Sequence, residues 1–415
     1  MNNYSIFSGS YNKNDVEFLL KILDIKNVKI NEANLHKEYL IQQKNIHYSE
    51  MITPEKLPSK EYLQLFYKAL DLNKLKMAKH CFILAEKIFT YAKQQSQKNI
   101  VLISLVRAGT PIGVILKHIL ESYFLDKNIT KIKHYSISIL RDKGIDVNAL
   151  NHIIFTKKYN AESIFFIDGW TGKGVISNEL KKSIFAYNQQ YKTNVSDKLF
   201  VLTDISNSAF CAASNEDYLI PSSILNSTIS GLISRSILNK EINIKNGDFH
   251  GCLFYNSAEF LQNDLSKFFI QEILTTIKNN INNINDINNI NNINNLTNFH
   301  ENSPKFFDKT NTFNNTFNNT FNNTFNNTFN NTFDIQKLMA EYKVKNVNLI
   351  KPGIGESTRV LLRRFPEKIV LKNADLPELQ HLILLAQQKQ INIEYNANLP
   401  NSLKAIAIIK NTLDN

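Results

Sequence analysis

From Asn279 the chain reads NNINNINDINNINNINN, and from Thr312 it repeats TFNN as far as Thr332 and Phe333. Asn favours neither helix nor strand, and so sparse a supply of Ile and Phe buries too little surface to offset the entropy of ordering a backbone. A segment of this kind cannot belong to a core, so it cuts the chain into residues 1–278, a disordered low-complexity linker over 279–333, and residues 334–415. Expansion of a short DNA repeat accounts for the period, and an aggregation-prone Asn-rich tract is the alternative.

On either side the sequence regains variety. Asp15 is placed to cap a helix over DVEFLLKIL, while SKEYLQLFYKAL and LKMAKHCFILAEKIFTYAKQQ carry apolar residues at helical spacing. NIVLISLV, KIKHYSISIL, SIFFID and KLFVLTDI are short runs rich in Ile, Val and Phe, each followed by a polar or Gly-containing turn. Near-continuous apolar strands separated by helical lengths predict an α/β domain whose mostly parallel sheet is covered on both faces. After the linker, VKNVNLI, KIVLK, INIEY and LKAIAII read as strands, with helices over ESTRVLLRRF and LPELQHLILLAQQKQ. That alternation predicts a second, smaller α/β domain.

The net charge of +11 and pI near 9.2 favour acidic partners, either phosphorylated small molecules or nucleic acid. Cys81, Cys211 and Cys252 stand far apart with no CxxC pair, which argues against a disulfide framework or a zinc site. With no long apolar run and no basic, apolar leader at Met1, the expectation is a cytoplasmic protein without a membrane span.

Ligands of parallel sheets bind at the carboxyl ends of the strands. The first such end carries Arg107, Ala108, Gly109, Thr110, Pro111 and Gly113, which is either an anion pocket or a plain strand-to-helix turn. The second carries Arg141, Asp142, Lys143 and Asp146, either a solvated turn or a loop reaching over a phosphorylated ligand. At the third, Asp168 is expected to end a strand, and Gly169, Trp170, Thr171, Gly172, Lys173 and Gly174 to form a loop into the helix VISNELKKSIF. Backbone amides and the Thr171 hydroxyl there could cradle a phosphate. The spacing fits neither GxxxxGK[ST] nor GxGxxG.

The strand–Arg-Ala-Gly and strand–Asp–loop–Thr-Gly elements, in this order, resemble the type I phosphoribosyltransferases. HYSISILRDKGID, FIDGWTGKG, DYLIPSSILNSTISGLISRS and GDFHGC are more closely similar to the phosphoribosyltransferase-like proteins of tellurite-resistance and stress gene clusters, a group also labelled StiP-type cysteine proteases. The first label implies a type I phosphoribosyltransferase-like sheet and transfer of phosphoribose to or from a base, using phosphoribosyl pyrophosphate and Mg²⁺. Under it Arg107, Ala108, Gly109 and Thr110 hold pyrophosphate, Asp168 and Gly169 face the ribose, Thr171, Gly172, Lys173 and Gly174 take the 5-phosphate, and Arg141 and Lys143 neutralise the leaving group. Gly169 stands where such enzymes carry a second acid.

The second label implies a thiolate activated by a neighbouring imidazole, for which Cys252 and His250 in DFHGCLF are the candidates. On an extended strand two such residues sit about 7 Å apart, beyond a direct hydrogen bond. The C-terminal region resembles a Pelota-like RNA-binding domain, and the turn KPGIGESTRVLLRR implies RNA contacts by Gly355, Glu356, Ser357, Arg359 and Arg363. A solvated basic helix face is the alternative to that reading, and a non-catalytic nucleotide- or RNA-binding protein is the alternative to both enzymes.

Overall fold

The computed structural model describes residues 6–30, 47–291, 333–364 and 366–410. The first domain is organised by Asn99–Leu105 (β3), Lys131–Ile137 (β4), Ile164–Thr171 (β5) and Leu199–Asp204 (β6), the apolar runs of the sequence. Edge strands Glu17–Phe18 (β1) and Cys211–Ser214 (β7) complete a six-stranded sheet of order β1-β4-β3-β5-β6-β7, parallel throughout.

Residues alternate between the two faces, as the pleat requires. Ile100, Leu102, Phe165, Ile167, Phe200 and Leu202 pack on the helices Lys60–Gln94 (α1), Gly109–Ile119 (α2) and Ser266–Asn291 (α4). Val101, Ile103, Phe166 and Val201 pack on Leu180, Ile184 and Tyr187 of Val175–Tyr191 (α3). Both faces are therefore dry, which explains why the strands read as unbroken apolar runs.

Three local expectations change. DVEFLLKIL is not a helix but contains β1 and Lys21–Ile22 (β2), which pair with Tyr135–Ser136 and with Gly251–Cys252 (β8). Long-range pairing overrides the apparent helical spacing. Secondly, β5 continues through Asp168, Gly169 and Trp170 to Thr171, paired with β6 as far as Asp204, so the turn is confined to Gly172–Gly174. Thirdly, α4 passes Asn279 and runs to Asn291 with a non-helical residue at Asn280. The rest of the Asn-rich tract, 292–332, lies outside the described residues.

The second domain holds Ile335–Glu341 (α5), Ile350–Pro352 (β9), Ile354–Arg363 (α6), Pro366–Leu371 (β10), Gln380–Gln388 (α7), Asn392–Tyr395 (β11) and Ala405–Ile409 (β12). Its sheet has the order β9-β12-β10-β11, with β10 and β11 parallel and the other pairs antiparallel. VKNVNLI contributes only its final Ile350 to a strand. Ala405, Ala407 and Ile409 face α6 and α7, while Ile406 and Ile408 face α5. The layer that holds Ile354, Val360 and Leu361 of α6 is continuous with the first domain's larger core, so the domains are joined by packing and not only by the chain.

Candidate functional site at the junction of the two domains

The carboxyl ends of β5 and β6 meet the second domain, and most of the groups singled out in the sequence are already bonded. Gly109 is held so close to β5 that a Cβ would stand 2.5 Å from the carbonyl oxygen of Ile167. Thr110 is buried, its Oγ1 2.7 Å from Ser136 Oγ. The Arg107 guanidinium points inward, pairing with Glu55 and donating to Asn226 Oδ1 at 2.8 Å and Ile233 O at 3.1 Å. Glu55 Oε2 in turn accepts from Ser227 N at 2.7 Å. Ala108 starts α2. This turn is a sealed structural knot.

On β5, Asp168 accepts 2.8 Å from the amide of Gly169, and burial pushes its carboxyl up to about 7. Thr171 Oγ1 accepts from Gly174 N at 3.2 Å, a local closure of the turn. A Cβ on Gly172 would meet Pro352 O of β9 at 3.3 Å. Lys173 Nζ donates to Val347 O at 2.6 Å and Ile350 O at 2.9 Å, so its charge is given to the second domain. Burial, and then the field of Lys351, bring Lys173 down to about 7. Arg141 stacks 5.6 Å above Tyr48 and donates to Asn348 Oδ1 at 2.9 Å. Lys143 sits exposed at the tip of the small hairpin formed by Ile139–Leu140 and Gly144–Ile145.

The facing surface is the strand-to-helix turn of the second domain. Gly353 adopts φ 96°, which a side chain would strain, and turns β9 into α6. Gly355 lies on the Trp170 ring, where a Cβ would be 3.7 Å away. Ser357 is fully buried. Arg359 stacks 5.5 Å over Trp170 and pairs with Glu356 at 3.1 Å. Arg363 donates to Ser223 O at 3.0 Å and to the carbonyls of Ile224 and Leu225 at 3.3 Å. Burial would raise the Glu356 carboxyl, yet Arg359, Lys351 and Lys173 together hold it below its usual value. The residues expected to read RNA are thus the ones that hold the domains together.

Asp217, which opens the stretch DYLIPSSILNSTISGLISRS and is not among the residues expected at a site, completes the contact. Its carboxylate accepts Ile354 N at 2.7 Å and Lys404 N at 2.8 Å, and burial raises it to about 6. The gap left between Trp170, Asp217 and Gly353 is about 10 Å³, the scale of one water. Among the described residues no group of three or more His, Cys, Asp or Glu could hold a metal ion, and the seam around Asp168 is crowded with cations.

The three thiols are free and buried. Cys252 lies in β8, bonded through its carbonyl to Leu23 N at 2.9 Å, and burial pushes its thiol well above the ordinary range. His250 is turned to Ser138 Oγ at 2.8 Å, with its backbone amide on Asp146. Burial keeps that imidazole below its usual value, and no hydrogen bond joins it to Cys252 among the described residues. His80, beside Cys81, is occupied by Tyr218 Oη at 3.2 Å.

Residues 9–274 match the family described as tellurite-like stress resistance cysteine protease StiP, and residues 329–411 match the PELOTA RNA binding domain. A curated relative from Acinetobacter baylyi named "Cysteine protease StiP" is 35% identical over 411 residues, covering 97% of this chain and 94% of that protein. These findings overturn the expected phosphoribosyltransferase and its phosphoribosyl pyrophosphate. The geometry gives the physical reason: Arg107 is bonded inside the first domain, Thr110 is buried, and Lys173 is spent on carbonyls of the second domain.

Proposed function

The chain belongs to the StiP family of tellurite-like stress resistance cysteine proteases, and from that premise we propose that it is a stress-associated thiol protease in a closed, resting conformation. The observation that carries the reading is the match to the named relative along almost the entire chain. Cys252 is the proposed nucleophile and His250 the proposed base. Cys252 is the one cysteine whose own segment supplies a histidine not committed to a helix interior, since His80 and Cys81 both lie within α1 and Cys211 has no histidine beside it.

A protease thiolate must be exposed and paired with an imidazole. The 249–254 segment therefore has to leave its pairing with β2 and its bridges to Ile237 and Ile233 before Cys252 can act. Hydrolysis of fluorescent casein by wild type and by Cys81→Ser, Cys211→Ser and Cys252→Ser separates the thiols. Only Cys252→Ser is expected to abolish turnover, and full hydrolysis by that variant would remove Cys252 from the mechanism.

RNA is proposed as the partner of the second domain, supported by the PELOTA match and by the basic residues of the junction. No described helix is long and apolar enough to cross a membrane. We place the protein in the cytoplasm, which suits three unpaired cysteines.

A further inference from the structure

The helix expected to meet RNA has its arginines engaged in the junction. Arg363 is bonded to three carbonyls of the first domain and Arg359 is stacked on Trp170. Charge remains one strand away. Lys351 of β9 makes no hydrogen bond or ion pair among the described residues, and its principal acidic neighbour is Glu356. Arg141 uses Nη1 on Asn348 and Nε on Asp142, leaving Nη2 without a hydrogen bond among the described residues. Lys143 stands exposed beyond it, and Arg364, Arg141 and Lys351 all act on Lys173.

Among the described residues few acids face this seam. Glu356 is already surrounded by Arg359, Lys351 and Lys173, and exposed Asp142 pairs with Arg141 at 3.3 Å. Glu179 takes the Asp142 amide at 2.9 Å. Among the described residues Lys351 and Lys143 have no acid paired to them, and such a local excess of positive charge attracts an anion.

We propose that RNA lies along this seam, its phosphates taken by Arg141 and Lys143 of the first domain together with Lys351 of the second, so that the docked pair of domains is the binding unit. The inference rests on RNA being the partner of the second domain, and adds where it binds and what the first domain contributes. A polymer fits better than a small phosphate ester because the donors do not converge. Arg141 is anchored to Asn348, Lys173 is turned to backbone carbonyls, and Lys143 stands out on a hairpin tip. Such an array tracks a backbone and reads no bases.

Fluorescence anisotropy with the full chain and a fluorescein-labelled uridine 12-mer, repeated at several salt concentrations, tests the seam. Lys143→Ala, Arg141→Ala and Lys351→Ala are each expected to weaken binding by about 3- to 10-fold and to lower the slope of log affinity against log salt by about one. The exposed Lys143 side chain makes no hydrogen bond or ion pair among the described residues, and its backbone bond to Leu140 O survives truncation, so its variant separates RNA contact from damage to the junction. Lys127, exposed before β4 at the opposite end of the sheet, is the control, and Lys127→Ala is expected to bind as wild type.

If Lys143→Ala and Arg141→Ala bind unchanged while Lys351→Ala weakens, the second domain binds alone and the composite seam is wrong. If pyrophosphate displaces the 12-mer at the same phosphate concentration, the seam is a small-anion site. If wild type binds no RNA at all, the RNA reading itself fails.

Discussion

Two strand–glycine–helix turns meet at the junction, and they close in opposite ways. In the first domain β5 turns at Gly174, with φ 71°, into α3; in the second β9 turns at Gly353, with φ 96°, into α6. The backbone of the first is closed within its own domain, since Thr171 Oγ1 accepts Gly174 N and meets Ser208 Oγ at 3.0 Å. The second relies on its neighbour, because the Ile354 and Lys404 amides both end on Asp217. Exposed amides at a helix start need an acceptor wherever it comes from. Similar turns in sequence therefore carry different dependence on the rest of the molecule.

The largest effect should come from breaking the borrowed closure. Asp217→Ala leaves two amides of the second domain unpaired, each costing about 1–3 kcal/mol, whereas Thr171→Val removes two neutral bonds, to Gly174 N and to Ser208 Oγ beside solvent-reachable groups of its own domain, worth about 1 kcal/mol together. Trp170 is the only tryptophan and lies under Gly355 and Arg359, so thermal melting followed by its fluorescence reports the junction directly. Asp217→Ala should lower that transition well below Thr171→Val. Equal shifts would mean that the two turns do not differ as described.

The same contrast marks how far the sequence could be read. The strands β3 to β6 were legible because residues buried on both faces leave continuous apolar runs. The misread DVEFLLKIL shows the limit, since β2 pairs with β8 more than two hundred residues later and no local spacing encodes that. Lys173, Arg359 and Arg363 stood out in the sequence as cations for a phosphate or RNA, and the fold brings all three to the junction. Their acceptors were not legible. Main-chain carbonyls at 223–225, 347 and 350 have no side-chain signature, and Asp217 lies in a loop 137 residues from the amide of Ile354 that it accepts. A basic, glycine-bearing turn specifies that an acceptor is needed, and here the other domain supplies it.

A second, smaller effect distinguishes the two arginines of α6. Arg363 is desolvated, lowered to about 9 by burial, and held by carbonyl oxygens, so Arg363→Ala should cost about 2 kcal/mol. Arg359 keeps a side chain 38% exposed, and its ring stack and ion pair are worth about 0.5–1 kcal/mol. Denaturant titration read at Trp170 should place Arg363→Ala below Arg359→Ala. The reverse order would make the Trp170 stack the principal tie between the domains.

The smallest effect is set by pH, and the two sides of the junction push it in opposite directions. Asp168 and Asp217 are raised by burial to about 7 and about 6 from an ordinary 3.8. The folded state therefore keeps their protons where the unfolded chain has released them, and stability falls as pH rises from about 4 to 7. Lys173 is lowered to about 7 from 10.5, chiefly by burial. Between those values the unfolded chain holds the extra proton, so stability rises with pH from about 7 to 10. The junction should be least stable near neutrality, with limbs of about 1 kcal/mol once solvent screening is allowed for. Asp168→Asn should flatten the acid limb and Lys173→Met the alkaline one. A melting temperature that climbs steadily from pH 5 to 9 in wild type would show that Asp168 and Asp217 are not held protonated by the docked domain.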